Sequence, residues 1–383
     1  MKAVLSGRAW RTPLGGTIDG VIARLLAGER AAAPNARFDA SAYACTLAST
    51  IAGQPAPSRH ARFLRRMGLF AVEVAAEALA DAGVQGSDRV GLFFGYGGLR
   101  AHWDDLMPAF EGQNPDGAGA WERGLTLLHP FWMLQHLSNN AHAIAAQELG
   151  ARGEGATYGG ANAGAQALSA AIRALAAGAV DVALVVAYDS LVEPETLIEL
   201  AARNACSSAG IAALASPYTA TASGFVPGEA AAALVLKRCG PGPLVQAVDG
   251  ADGASGEPDP ALARRLLALL AEHGDIVDGA GLAQPGYDAA ERAAAAAIVG
   301  AGAPLCCIMG AMGQIGAASS IVQTIALAEL LQRQVLPPLA GAPAPASGPL
   351  VARRTMQATA LRAAVGLSAG APGLGGVIRV ALP

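Results

Sequence analysis

The side chains able to do covalent or acid–base chemistry are few. There are five cysteines, Cys45, Cys206, Cys239, Cys306 and Cys307, and six histidines, His60, His102, His129, His136, His142 and His273. The cysteine number is odd and the spacing matches no zinc knuckle. No histidine stands at a metal-ligand spacing from Cys, Asp or Glu, so neither a metal nor another cofactor is expected. The simplest reading of the cysteines is as buried small hydrophobes. The best place for a nucleophile is the bend Gly159-Gly160, which feeds a helix predicted over Asn162–Ala177. The free N–H groups and the dipole at a helix N-terminus favour a thiolate or an oxyanion. The residue in that place is Ala161, which can attack nothing.

The elements around this bend follow from periodicity. The central helix closes at Gly178, and Val180–Ala187 reads as a buried strand. A first strand is expected at Met1–Leu5, then an irregular surface excursion from Gly28 to Pro57. Apolar residues Phe63, Met67, Phe70, Val74 and Ala78 predict a helix over Ser58–Ala82, with Arg62, Arg65 and Arg66 on a solvated face. The strand Val90–Phe94 ends in Gly95-Tyr96-Gly97-Gly98, a turn without a phosphate-binding pattern. A Gly/Asp-rich excursion follows at Gly112–Gly124. The run Phe131-Trp132-Met133-Leu134 is either core or a contact with another chain, and the helix Asn139–Leu149 comes after it. Asn204–Ser223 reads as loop, and Gly224–Leu236 as a turn and a strand. Gly240-Pro241-Gly242-Pro243 divides the chain into halves 1–239 and 240–383.

The second half repeats the alternation. A strand is expected at Leu244–Ala247, helices at Pro260–Glu272, Asp288–Val299 and Ala317–Gln332, and a Pro/Ala/Gly linker at Leu339–Pro349. A strand at Ala363–Leu367, a glycine-rich turn at Ala369–Gly376 and a strand at Val377–Ala381 complete the chain. Strands alternating with helices in both halves predict α/β packing.

Composition limits the function classes. The 383 residues are 53% hydrophobic and 15% charged, with a net charge of −4. No basic run offers a nucleic-acid surface, so no nucleic-acid partner is expected. No apolar stretch of about 18 residues runs uninterrupted, so no membrane span is expected. The N-terminus lacks a signal-peptide pattern, which predicts a cytoplasmic protein. A mean hydropathy of +0.37 then implies a large core, an oligomer interface, or both.

Four segments carry a family resemblance. GFVPGEAAAALVL at Gly224–Leu236 resembles the DGFVxGEGAGxLVL strand of the elongating β-ketoacyl-acyl-carrier-protein synthases, condensing enzymes of the thiolase superfamily. AIRALAAGAVDVALVVAYDS matches in order and spacing. MGQIGAASSIVQTIALAEL at Met312–Leu330 is similar to the TGHxxGAAG helix, and SAGAPGLGG at Ser368–Gly376 to the SFGFGGTN loop. The resemblance covers nearly the whole chain. It implies a thiolase-like α/β fold of two similar halves layered α-β-α-β-α.

That family runs a Claisen condensation with a Cys, two His and a Lys. By the same resemblance, the Cys position falls on Ala161, the first His on Ala280 within GAGLAQPGYD, the Lys on Met309 and the second His on Gln314. Asp288 and Glu291 keep the register. All four functional groups are absent together, which leaves neither a covalent nor an acid–base route. NACSSAG at Asn204–Gly210 is similar to the nucleophile motif, but Cys206 falls after the strand at Val182–Ala187, too late in the chain. It is a loop cysteine or a relocated nucleophile.

The resemblance therefore implies a non-catalytic member, like the chain-length factors that form a heterodimer with an intact ketosynthase and meet acyl carrier protein through that complex. VVAYDSLVEP is similar to the GGVDS segment of such partners. They commonly carry Gln where this chain has Ala161, and a partner from an aryl polyene or other polyene system fits at least as well. In this fold the subunit interface lies beside the acyl tunnel. Tyr96, Phe131, Trp132 and Met133 are expected there, either shaping the tunnel of the catalytic partner or packing the interface. An acyltransferase or thioesterase using Cys206 is the competing reading.

Overall fold

The computed structural model describes residues 1–98, 126–251, 259–270, 274–299, 304–341, 356–357, 361–370 and 373–383. The expected excursion at Gly112–Gly124, most of the Pro/Ala/Gly linker, His102 and His273 lie outside these residues.

Ten strands build one sheet. The first five are β1 (Ala3–Arg11), β2 (Val90–Tyr96), β3 (Ala156–Gly159), β4 (Val182–Ser190) and β5 (Glu229–Lys237). The second five are β6 (Leu244–Ala251), β7 (Ile276–Asp278), β8 (Leu305–Cys306), β9 (Ala363–Gly370) and β10 (Leu374–Ala381). The order across the sheet is β8-β7-β9-β10-β6-β1-β5-β4-β2-β3. Each set of five thus runs third-second-fourth-fifth-first. In both, the first three of that order are parallel and the last two antiparallel. The two sets join where β1 meets β6, at Ala3–Val245 and Val4–Leu244.

The helices explain the apolar composition. Ala163–Ala176 follows β3 and Ser319–Arg333 follows β8, the equivalent strand. They pack on each other and on strands of both halves. Every residue from Ser319 to Leu331 is buried. A helix buried on every side needs such a place, packed among strands of both halves. Arg66–Asp81 and Asn140–Leu149 cover the outer face of the first half, and Pro260–Leu269 with Pro285–Val299 that of the second. Sheets covered on both faces give unbroken apolar strands. Accordingly, Glu229–Leu236 of β5 is buried throughout.

Several boundaries differ from the sequence reading. β1 continues to Arg11 rather than ending at Leu5, because it pairs with β5 from Val4 to Arg11 across one irregularity at Leu5–Gly7. The outer helix begins at Arg66, not Ser58, since Ser58–Leu64 closes in turns and Arg65 is extended. The expected glycine-rich turn at Ala369–Gly376 is mostly ladder: Gly370 pairs with Leu374 and Ala369 with Gly375. The excursion Gly28–Pro57 is only partly a surface feature. Leu47–Ala48 pairs with Ala33–Pro34, and Cys45, Leu47, Ala48 and Ile51 are buried. Arg66 does not join a solvated face; it turns inward to a buried carboxylate, Glu229, at 2.8 Å. A helix at Pro194–Ala202 follows β4 and was not anticipated.

Candidate functional site

The site is built where β3 turns into the central helix. Gly160 takes φ +116°, which an L side chain rarely adopts, and its N–H donates to the carbonyl of Tyr96 at 3.0 Å. Ala161 follows. Asn162 then fixes the bend: its side-chain amide donates to the carbonyls of Gly250 and Gly375, each at 3.3 Å. The β9–β10 hairpin comes so close that a Cβ on Gly370 would stand 2.4 Å from that of Ala161.

Ala161 opens onto a chamber of about 110 Å³. Its apolar wall includes Leu191, Leu200, Phe225, Leu282 and Ala369, and its polar groups include Thr196, Gln284 and Gln314. Glu199 and Arg203 pair at 3.1 Å along one wall. Among the described residues lining it, there is no thiol, imidazole or primary amine. Asp189 lines it as well, but its carboxylate accepts the N–H groups of Ser190 at 2.8 Å and Ala317 at 3.0 Å.

The four positions expected from the resemblance do not all converge. Ala161 and Gln314 line the chamber; Ala280 and Met309 do not. Gln314 is locked by its own bonds, donating to the carbonyl of Ala280 at 3.1 Å and accepting from the hydroxyl of Ser319 at 2.9 Å. Ala280 is buried and its N–H faces the carboxylate of Glu291 at 3.3 Å. Met309 is buried on the far side of Gly281 and lines a separate small cavity with Arg30 and Gly310.

Buried acids hold the Ala280 segment. Tyr218 donates its hydroxyl to Glu291, and that oxygen also accepts the N–H of Gly281 at 3.3 Å. Asp288 accepts the N–H of Tyr218 at 2.7 Å. Asp278 accepts from the N–H of Ile308 and the side-chain amide of Gln323, both at 2.8 Å. Burial pushes the carboxyl of Glu291 up to about 8, that of Asp278 to about 7 and that of Asp288 to about 6. Burial likewise raises the thiols of Cys306 and Cys307 and the Tyr218 hydroxyl.

The described histidines do not line the chamber. Nδ1 of His142 is 2.8 Å from the Thr157 hydroxyl, and its ring stacks on Phe94. His136 lines a different cavity; its ring lies 4.6 Å from that of Trp132 and its Nδ1 2.8 Å from the Trp132 carbonyl. His129 meets the N–H of Phe131. Among the described residues no group of His, Cys, Asp and Glu is arranged to hold a metal.

The aromatic group divides in two. Tyr96 ends β2 and lines a second cavity, of about 90 Å³, with Arg66, Gln135, Tyr188 and Ser190. Phe131, Trp132 and Met133 line neither that cavity nor the chamber. Phe131 packs edge-on to Phe63 and is 36% exposed, and Met133 is 65% exposed. With Leu127, Leu134 and Leu137 they form an exposed apolar surface. The run is therefore not core, one of the two alternatives open from sequence. Thr196, Leu200 and Phe225 escaped the sequence reading. The signal for the helix that carries two of them was Glu193-Pro194-Glu195, a proline at the first turn with acidic neighbours.

Comparison with known proteins places the chain. A curated relative, 3-oxoacyl-[acyl-carrier-protein] synthase 2 of Synechocystis, is 25% identical over 249 residues, which span 62% of this chain and 57% of the relative. Solved structures share the fold. A β-ketoacyl synthase from Burkholderia phymatum superposes with a TM-score of 0.83 at 20% identity, covering 100% of this chain and 99% of that one. The ishigamide ketosynthase/chain length factor gives 0.84 at 20% identity with the same coverage. A type II polyketide ketosynthase, bound to its acyl-carrier protein and a hexaketide, gives 0.78 at 17%, also covering 100% and 99%. The family model for the β-ketoacyl synthase N-terminal domain matches residues 2–240. With the duplicated strand order and the layered helices, this match shows that the chain belongs to the β-ketoacyl synthase family.

Proposed function

We propose that this protein is a non-catalytic, chain-length-factor-like subunit that pairs with an active β-ketoacyl-acyl-carrier-protein synthase and shapes its acyl tunnel. The pathway class is type II polyketide, aryl polyene or fatty-acid-like biosynthesis. Acyl carrier protein meets the subunit through the complex, and the complex is cytoplasmic. The observation that carries this reading is the chamber itself. Ala161 occupies the elbow, and Gln314, the one other expected catalytic position there, spends its amide on Ala280 and Ser319. Condensation in this family needs a thiol for the acyl group and imidazoles for the enolate, and the described wall offers neither. The apolar surface from Leu127 to Leu137 supports a protein partner, since soluble monomers seldom leave such side chains clustered in water. A neighbour in fold described as a ketosynthase/chain length factor is consistent with that partnership.

The test is co-expression with a ketosynthase that keeps Cys, His and His, followed by native mass measurement and a condensation assay. A one-to-one complex that condenses, beside an isolated chain that does not, is the expected outcome. Turnover of acyl and malonyl carrier protein by the isolated chain would overturn the proposal.

The second reading, an acyltransferase or thioesterase at Cys206, has one observation in its favour. The Cys206 sulfur has the Cys45 thiol as its neighbour, which holds its pKa below the ordinary thiol value. Covalent acylation of Cys206 by an acyl thioester would establish it.

A further inference from the structure

Two cysteines far apart in sequence meet beside the chamber. The segment Phe225–Glu229 is the seam between them. On one side Phe225 pairs with Cys206, its N–H donating to the carbonyl of Ala205 at 3.0 Å and its carbonyl accepting from Ser207 at 2.8 Å. On the other side Ser49 pairs with Gly228, donating to Pro227 at 2.8 Å and accepting from Glu229 at 3.1 Å. Ala44 lines the same bowl as Cys206, so its neighbour Cys45 stands beside that residue. The Cys45 thiol donates to the carbonyl of Leu47 at 3.3 Å and interacts with the Cys206 thiol. Both cysteines are free thiols.

The two sulfurs differ in access and character. Cys206 lines an open bowl of about 760 Å³ with Asn204, Ser208, Ser223 and Tyr287, next to the chamber and sharing Arg203 and Gln284 with it. Both are buried, Cys206 at 8% exposure and Cys45 at 1%. The hydrogen bond from Cys45 favours the Cys206 thiolate and disfavours that of Cys45. Such asymmetry is what an attacking and a resolving thiol require. Cys306 and Cys307 are buried with their thiols well above the ordinary value, and Cys239 is exposed and far along the chain.

We propose that Cys45 and Cys206 are a reversible dithiol–disulfide site, oxidised by a small disulfide that enters through the bowl. The Cys206 thiolate attacks one sulfur of the small disulfide, forming a mixed disulfide and expelling one thiolate, which takes up a proton. Cys45 then attacks the Cys206 sulfur, giving the Cys45–Cys206 bond and releasing the second small thiol, which carries the Cys45 proton. The protein loses two electrons and two protons, and the small disulfide gains both. The bond ties the Cys45–Ser49 segment to the loop at Ala205–Phe225, whose Ala205 and Phe225 are chamber wall. Its effect is to fix that wall, whatever the subunit does in condensation.

The experiment incubates the full chain with oxidised glutathione, quenches with acid, alkylates remaining thiols with N-ethylmaleimide in denaturant and maps the peptides by mass. The expected result is a linked pair of peptides carrying Cys45 and Cys206, lighter by two hydrogens than their sum and separated by dithiothreitol. Cys306 and Cys307 should be recovered as maleimide adducts. In Cys45→Ser the glutathione adduct on Cys206 should persist, since nothing resolves it. Recovery of Cys206 from the unmutated chain as a maleimide adduct, or as a lasting glutathione adduct beside alkylated Cys45, overturns the proposal. The map of the unmutated chain decides even if the variant does not fold.

Discussion

Arg66 sets Nη1 2.8 Å from Oε1 of Glu229, a carboxylate with no solvent exposure at the start of β5. The same oxygen accepts the N–H of Ile51 at 2.9 Å, and the other accepts from the Ser190 hydroxyl at 3.3 Å. Arg66 also donates to the carbonyl of Ile51 at 2.9 Å. One buried pair therefore joins the outer helix, the returning excursion and two strands of the first half.

Removing one partner strands the other. Arg66→Ala should destabilise the protein by about 3–5 kcal/mol, because Glu229 keeps its burial without its counter-charge. Arg66→Met combined with Glu229→Gln should recover much of that loss, since neither side chain then carries a charge. Urea midpoints of the three proteins check this; a loss under about 1 kcal/mol for Arg66→Ala would refute the assigned role.

The buried acids around Ala280 fix a pH dependence. Glu291 rises from 4.5 in the unfolded chain to about 8, and Asp278 from 3.8 to about 7. Over that window the folded state binds more protons than the unfolded one, so stability falls as pH rises. The decline should begin near the unfolded values and level off above about 8. Glu291→Gln and Asp278→Asn should flatten it while changing little at mildly acid pH, where the native side chains are already neutral. Unfolding midpoints across the pH range measure both effects.

Restoring the nucleophile alone should not restore catalysis. Ala161→Cys places a thiol at a helix N-terminus, where the thiolate is favoured. It should accept iodoacetamide within the chamber. Condensation by the isolated variant should stay at background, because Ala280 and Gln314 supply no imidazole. A measurable rate with acyl and malonyl carrier protein would show that the remaining polar groups suffice.

The exposed apolar surface makes a prediction separable from folding. Met133 is 65% exposed, so Met133→Asp should shift stability by no more than about 0.5 kcal/mol. Association with the ketosynthase should weaken at least about tenfold, the cost of about 1.4 kcal/mol expected when a charge enters an apolar contact. Native mass spectrometry at a series of concentrations checks it. In the same complex Trp132→Ala should lengthen the product, and an unchanged product would remove the tunnel role while leaving the interface one.

Much of this protein could be read without coordinates. The Ala, Leu and Ile of the central helix, the apolar run in β5 and the alternation of strands and helices are local patterns, and local patterns report burial and period. Ala161 at the elbow was legible for the same reason: the bend and the helix start that define the place are adjacent in sequence. Ala280, Met309 and Gln314 came only as an alignment, and whether each faces the chamber was not in the chain order. Packing decided that Gln314 reaches it while Ala280 turns its N–H to Glu291 and Met309 falls behind Gly281. Packing also drew Arg66 in to Glu229, led Pro194–Ala202 along the chamber and set Cys45 beside Cys206. These are contacts between residues far apart in sequence. Periodicity says how a segment meets the core, but only the joining of two five-strand sets across shared helices selects which distant side chain meets it there.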